Sequence, residues 1–125
     1  MSVMSLWGSC HRFLSGVLQI DPSVNEKIIA TGDITAELLP ERGQFMHMFR
    51  AGELHTWLSN AGLAVLVLSA SGVLVNRWGD VLSDIHRDSK QWTEILNMEV
   101  EASREPGARD MGTHLIAVAR KTNSY

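Results

Sequence analysis

Cysteine is nearly missing from this chain: Cys10 stands alone among 125 residues. No internal disulfide and no multi-cysteine zinc site can form, which fits a reducing, cytoplasmic setting. Basic clusters are missing too. Lys and Arg number 11 against 14 Asp and Glu, giving a net charge of −3 with the basic residues scattered. Nucleic acid is held by a basic face, so it is not an expected partner. The histidines His11, His47, His55, His86 and His114 show neither H-x-x-x-H nor H-E-x-x-H spacing. Zinc needs about four converging ligands, so no metal is expected. The apolar start Met1–Trp7 lacks the basic flank of a signal peptide, and His11 and Arg12 follow it closely.

Long apolar runs are also missing. Residues 54–76 carry no Lys, Arg, Asp or Glu, yet His55, Thr56, Ser59, Asn60, Gly62, Ser69, Ser71 and Gly72 interrupt them. The uninterrupted run Leu63–Leu68 has strand length, whereas a spanning helix needs about 18 or more apolar residues. No membrane partner is expected. What the chain does have is a hydrophobic share of 45% against 20% charged, enough for one globular domain with a real core. No repeat or low-complexity segment is visible.

Ser2–Trp7 reads as a short buried strand ended by Gly8. His11–Ile20 predicts a helix, with Phe13, Leu14, Val17 and Leu18 on one face and Asp21-Pro22 as its stop. Residues 23–48, with Gly32, Pro40 and Gly43, read as a partly helical, lid-like connection. Leu54, Trp57, Leu58 and Ala61 predict a helix over Ala51–Ala61, ended by Gly62. Leu63–Leu68 is apolar at every position and reads as a strand covered on both faces. Ser89–Glu105 predicts a helix, with Trp92, Ile95, Leu96, Val100 and Ser103 facing inward and Pro106-Gly107 ending it. Thr113–Arg120 is a last strand.

The order of these pieces carries a resemblance. The string Phe45-Met46-His47-Met48-Phe49-Arg50-Ala51-Gly52-Glu53-Leu54, followed by Trp57-Leu58 and Ala61-Gly62-Leu63, resembles a helix and sixth strand of class I S-adenosylmethionine-dependent methyltransferases. Glu99–Gly107 and Gly112–Lys121 resemble the final helix and antiparallel seventh strand of methyltransferase-domain, type 11-like proteins, and Ser2–Trp7 the fifth strand. The resemblance implies an α/β chain, the C-terminal part of a Rossmann-like methyltransferase fold. About three strands, the fifth, sixth and seventh with the last antiparallel, carry helices packed on them. It implies one partial domain: a strand and helix over 1–22, the connection over 23–48, and a helix–strand–helix–strand unit over 49–125.

S-adenosylmethionine is then the family's cofactor, but its binding motif is absent. No G-x-G-x-G follows a strand, and Gly8, Gly16 and Gly32 are isolated. The expectation is a truncated, cytoplasmic methyltransferase segment, inactive alone. It has the side that meets a small-molecule acceptor and lacks the side that holds the methyl donor.

The acceptor side maps to residues 7–13 and 45–50. Trp7, His11, Arg12, His47 and Arg50 are the candidate substrate contacts, with no catalytic residue singled out. His11 and His47 suit acceptor contact or proton handling, or else are polar residues hydrogen-bonded at a loop or helix edge. Trp7 walls a pocket or packs in the core, while Arg12 and Arg50 hold an acidic acceptor or are solvated. His114 reads as structural, His55 and His86 as exposed. The alternative is a non-enzymatic α/β module for partner binding or homodimerisation. An unpaired fifth strand leaves an apolar edge that invites a second copy or aggregation.

Overall fold

A computed structural model of the chain describes residues 1–12 and 21–122, apart from the side chains of Arg12 and Arg42. Five strands occur among them: β1 (Ser2–Met4), β2 (Asp33–Ile34), β3 (Met46–His47), β4 (Leu63–Ser71) and β5 (His114–Lys121). The main sheet has the order β1-β5-β4, and both pairings are antiparallel. The first and fourth strands therefore run parallel to each other, with the last strand reversed between them. β2 and β3 form a separate antiparallel ladder in which Asp33 faces His47 and Ile34 faces Met46.

The α-helices among the described residues are α1 (Leu6–Arg12), α2 (Pro22–Thr31), α3 (Ala51–Asn60), α4 (Gly79–Ser83), α5 (Lys90–Arg104) and α6 (Pro106–Arg109). Period-2 alternation in β5 puts Leu115 and Ala117 on one face and Ile116 and Val118 on the other. Leu115 and Ala117 join Ala70 against Ala51, Leu54 and Leu58 of α3, forming one core. Burying each of these leucines contributes roughly 1.5–3 kcal/mol. On the opposite face α5 sits over the end of β4, where the hydroxyls of Ser103 and Ser69 meet at 3.0 Å. The chain is thus α/β, with helices on both sides of the sheet.

The first strand is shorter than the expected Ser2–Trp7. It stops at Met4 because Ser5 caps a helix: its hydroxyl accepts from the Gly8 N–H at 3.3 Å and donates to the Asp110 carbonyl at 2.8 Å. Gly8 is not a strand terminator. It lies inside α1, where a Cβ would come 1.8 Å from the Gly112 carbonyl oxygen, so only glycine allows the two segments to touch. The helix expected over His11–Ile20 falls, from Phe13 onward, outside the described residues.

The connection over 23–48 holds more structure than expected. Asp21 caps α2 through a 2.8 Å bond from the Ser23 N–H, and Gly32 closes it at φ +80. The β2–β3 ladder was not legible from the pattern. With Leu6, Ile28, Ile34, Leu39 and Met48 buried, this region builds a second core beside α1.

Helix α3 starts where the pattern puts it and ends one residue early, at Asn60, and the strand after it starts at the expected Leu63 but runs on to Ser71. The expectation that β4 is covered on both faces fails at its first half, where Leu66 is 56% and Val67 45% exposed. The physical reason is position: β4 is an edge strand, bulged between Val65 and Val67, and α5 reaches only its far end. Helix α5 shows the same incompleteness. Ser89 caps it and Ser103 is buried, but Leu96 and Val100, expected inward, are each 47% exposed. Glu99 instead turns toward the chain after β4. Its carboxylate accepts from the N–H groups of Val73, Leu74 and Val75 at 2.6, 2.9 and 3.1 Å.

Candidate functional site

Open α/β sheets present functional groups beyond the carboxyl ends of their parallel strands. Here those ends belong to β1 and β4, and the segments leaving them are α1 and residues 72–77. Arg77 joins the two segments: its Nε donates to His11 Nε2 at 2.8 Å. The N-terminus of α3 reaches the same end. Asp110, four residues before β5, accepts from the Ala51 N–H at 2.7 Å, and its backbone carbonyl takes the Ser5 hydroxyl. A carboxylate at a helix N-terminus is favoured by the exposed N–H groups and the helix dipole.

Phe49 ties this end together. It forms a parallel bridge with Ser5, donating to the Met4 carbonyl at 2.8 Å and accepting from the Leu6 N–H at 2.9 Å. That bridge delivers Arg50 beside α1. The Arg50 guanidinium lies 5.4 Å from the centre of the Trp7 ring and also donates to the Ile29 carbonyl. Trp7 is 38% exposed, so the indole and the guanidinium offer a shared aromatic and cationic surface to solvent. Cys10 lies nearby. Burial pushes its thiol pKa up, against the pull of the Arg50 charge, so it stays protonated and a poor nucleophile.

Next to Arg50 stands a second cluster. His47 Nδ1 lies 2.6 Å from Asp33 Oδ1, and Nε2 lies 2.8 Å from Glu53 Oε1. The other Glu53 oxygen accepts from the Arg50 backbone N–H at 3.2 Å. The ring also meets Phe49 edge-on, with centroids 4.4 Å apart. Gly32 makes room for this: a Cβ there would come 2.4 Å from the Met48 carbonyl oxygen and 3.2 Å from the His47 ring. Burial disfavours the charged ring, but the hydrogen bonds and charges of Asp33 and Glu53 outweigh it, and the His47 pKa is raised.

Of the five residues singled out from sequence, the structure brings Trp7 and Arg50 into contact and puts His47 beside them through Glu53. His11 belongs to a different contact, with Arg77. The Arg12 side chain lies outside the described residues. His47 has both ring nitrogens engaged by carboxylates, so neither is open to an acceptor's proton in this arrangement. Sequence reasoning missed Asp33, Glu53 and Arg77. Asp33 pairs with His47 through strands of two residues each, too short for any periodic signal. Nothing in the sequence links Glu53 to the His47 ring or Arg77 to His11. His55 and His86 are exposed, and His114 bonds the neighbouring Thr113 hydroxyl at 3.2 Å.

Among the described residues, no His, Cys, Asp and Glu side chains converge as a metal site, and no helix is long and apolar enough to cross a membrane. Compared with known proteins, the chain matches no family model and no curated protein.

Proposed function

We propose that the chain is the closing, acceptor-side segment of a class I S-adenosylmethionine-dependent methyltransferase fold, serving methyl transfer to a small-molecule acceptor. One observation carries the reading. The resemblance requires a last strand antiparallel to the two before it, in a sheet with helices on both faces. The pairing of β5 with β1 and β4, flanked by α3 and α5, meets that requirement.

In this reading Trp7 and Arg50 form the acceptor surface. A planar acceptor stacks on the indole, and an acidic one pairs with the guanidinium. Glu53 and Asp110 position that surface by holding the first turn of α3, through the Arg50 and Ala51 N–H groups. Methyl transfer from a sulfonium is an in-line displacement, so the acceptor side contributes alignment and exclusion of water rather than covalent chemistry.

S-adenosylmethionine supplies the methyl group in the family, but the described residues do not fit it. Beyond β1, Gly8 is packed against Gly112. Beyond β4, the three successive N–H groups that an anionic ligand would use are occupied by Glu99. Calorimetry with S-adenosylmethionine tests this directly: the chain alone is expected to give no binding heat. Binding at micromolar concentration with one site per chain would mean that it carries a cradle of its own, and the acceptor-side assignment would fall.

A second reading, a non-enzymatic module that pairs with another chain, is favoured by a different observation. Leu66, Val67, Ile116 and Val118 expose apolar surface on the outer side of β4 and β5. Light scattering distinguishes the two: a monomer at high concentration opposes the pairing module.

A further inference from the structure

A neutral imidazole carries one N–H and one lone pair, so it can donate to only one of two ionised carboxylates. His47 lies within hydrogen-bond distance of two, at 2.6 and 2.8 Å, one on each ring nitrogen. Both contacts are satisfied together when the ring is an imidazolium. We propose that His47 is a proton-dependent clamp: as an imidazolium it ties Asp33 of β2 to Glu53 of α3, and losing its proton loosens the β2–β3 ladder from the first turn of α3.

The geometry gives the clamp its reach. Asp33 and His47 are cross-strand partners in a ladder of only two residue pairs, so that ladder depends on what surrounds it. Glu53 sits on a different element, and its second oxygen holds the Arg50 N–H. One ring therefore joins three elements, β2, β3 and α3, beside the residue that stacks on Trp7. The charged groups facing the ring are Asp33 and Glu53. The Arg50 guanidinium is turned to Trp7 and the Ile29 carbonyl, and Phe49 brings an uncharged ring at 81° to the imidazole. With Asp33, Glu53 and Arg50 ionised, the cluster is neutral when His47 is protonated. When the proton leaves to solvent, it carries one net negative charge, and one carboxylate faces a lone pair.

The sign follows from linkage. The folded-state pKa lies above the ordinary 6.5. The stabilisation is fully present below that value and is lost as pH rises through the folded pKa. The inference does not depend on the methyltransferase reading.

The test is a titration of the full chain by heteronuclear NMR, following the histidine rings, with the His47 signals assigned by their loss in His47→Gln. His47 is expected to titrate above 6.5, and Glu53→Gln is expected to lower its midpoint. Thermal melts between about pH 5 and pH 9 give the second reading. The advantage of the wild type over His47→Gln is expected to shrink as pH rises through the His47 midpoint. A His47 midpoint at or below 6.5, or a midpoint unmoved by Glu53→Gln, would overturn the imidazolium. A pH-independent difference between wild type and His47→Gln would overturn the clamp. If His47→Gln fails to fold, the His47 ring is assigned by its through-space contact with Phe49, 4.4 Å away, and the midpoint shift in Glu53→Gln decides.

Discussion

Removing the Glu99 carboxylate should loosen the chain that follows β4. That carboxylate takes three successive N–H groups, from Val73, Leu74 and Val75, at 2.6 to 3.1 Å. Hydrogen bonds to a charged group contribute roughly 1.5–3 kcal/mol each when measured singly. The three share one carboxylate, and Val73, Leu74 and Val75 are only partly buried, so water can replace some of what is lost. Glu99→Ala is therefore expected to cost about 2–4 kcal/mol rather than the simple sum. Glu99→Gln keeps one acceptor oxygen but loses the charge, and about half that cost is expected. Urea unfolding followed by far-UV circular dichroism measures both, and the midpoint should fall with little change in slope. Glu101→Ala is the control: Glu101 is exposed on the same helix, and its replacement should stay within about 0.5 kcal/mol. If Glu99→Ala unfolds at the same urea concentration as Glu101→Ala, the carboxylate does not anchor the chain after β4, and the account of that turn is wrong.

Gly8→Ala should be among the most damaging single changes, about 3 kcal/mol or more, because the clash is with the Gly112 backbone and no side chain can step aside; expression and thermal melting report it. Leu54→Ala, at a site with no exposure beneath the sheet, is expected to lose about 2–5 kcal/mol in the same unfolding assay. Asp110→Ala removes the bond to the Ala51 N–H and a favourable charge at the start of α3, and should cost about 1–2 kcal/mol, with amide exchange accelerating in the first turn of that helix. Val67→Thr or Val118→Thr, on the exposed face, should leave stability within about 1 kcal/mol while reducing any self-association seen by light scattering.

The large elements were legible because their signals are long. Helix α3 announces itself through Leu54, Trp57 and Leu58 at helical spacing and ends one residue before expected, and the apolar run from Leu63 makes β4 unmistakable as a strand. Its burial was not legible. Leu-Ala-Val-Leu-Val-Leu reads the same whether both faces are covered or one is bare, and which holds depends on how far α5 reaches. The start of the chain was misread for a different reason. Leu6 and Trp7 suit a strand by composition, but the Ser5–Asp110 bond and the Gly8–Gly112 contact that seat α1 involve residues more than a hundred positions away. The candidate site was legible in part. Trp7, His47 and Arg50 fall near one another because the order of elements puts α1 beside the start of α3. The partners that define their chemistry were hidden: Asp33 lies in a ladder too short to have a period, and the Asp110 carboxylate caps a helix 59 residues away.

The proposed meeting of a small methyl acceptor with the Trp7–Arg50 surface is tested most directly by binding there. Planar aromatic acids and neutral aromatic fragments, added in turn to isotopically labelled chain, should shift the Trp7 indole N–H and the Arg50 side-chain N–H signals in a saturable way, the acids more strongly. Shifts scattered over the molecule, or confined to the bare face around Val67 and Val118, would contradict the assignment of this end of the sheet to acceptor binding.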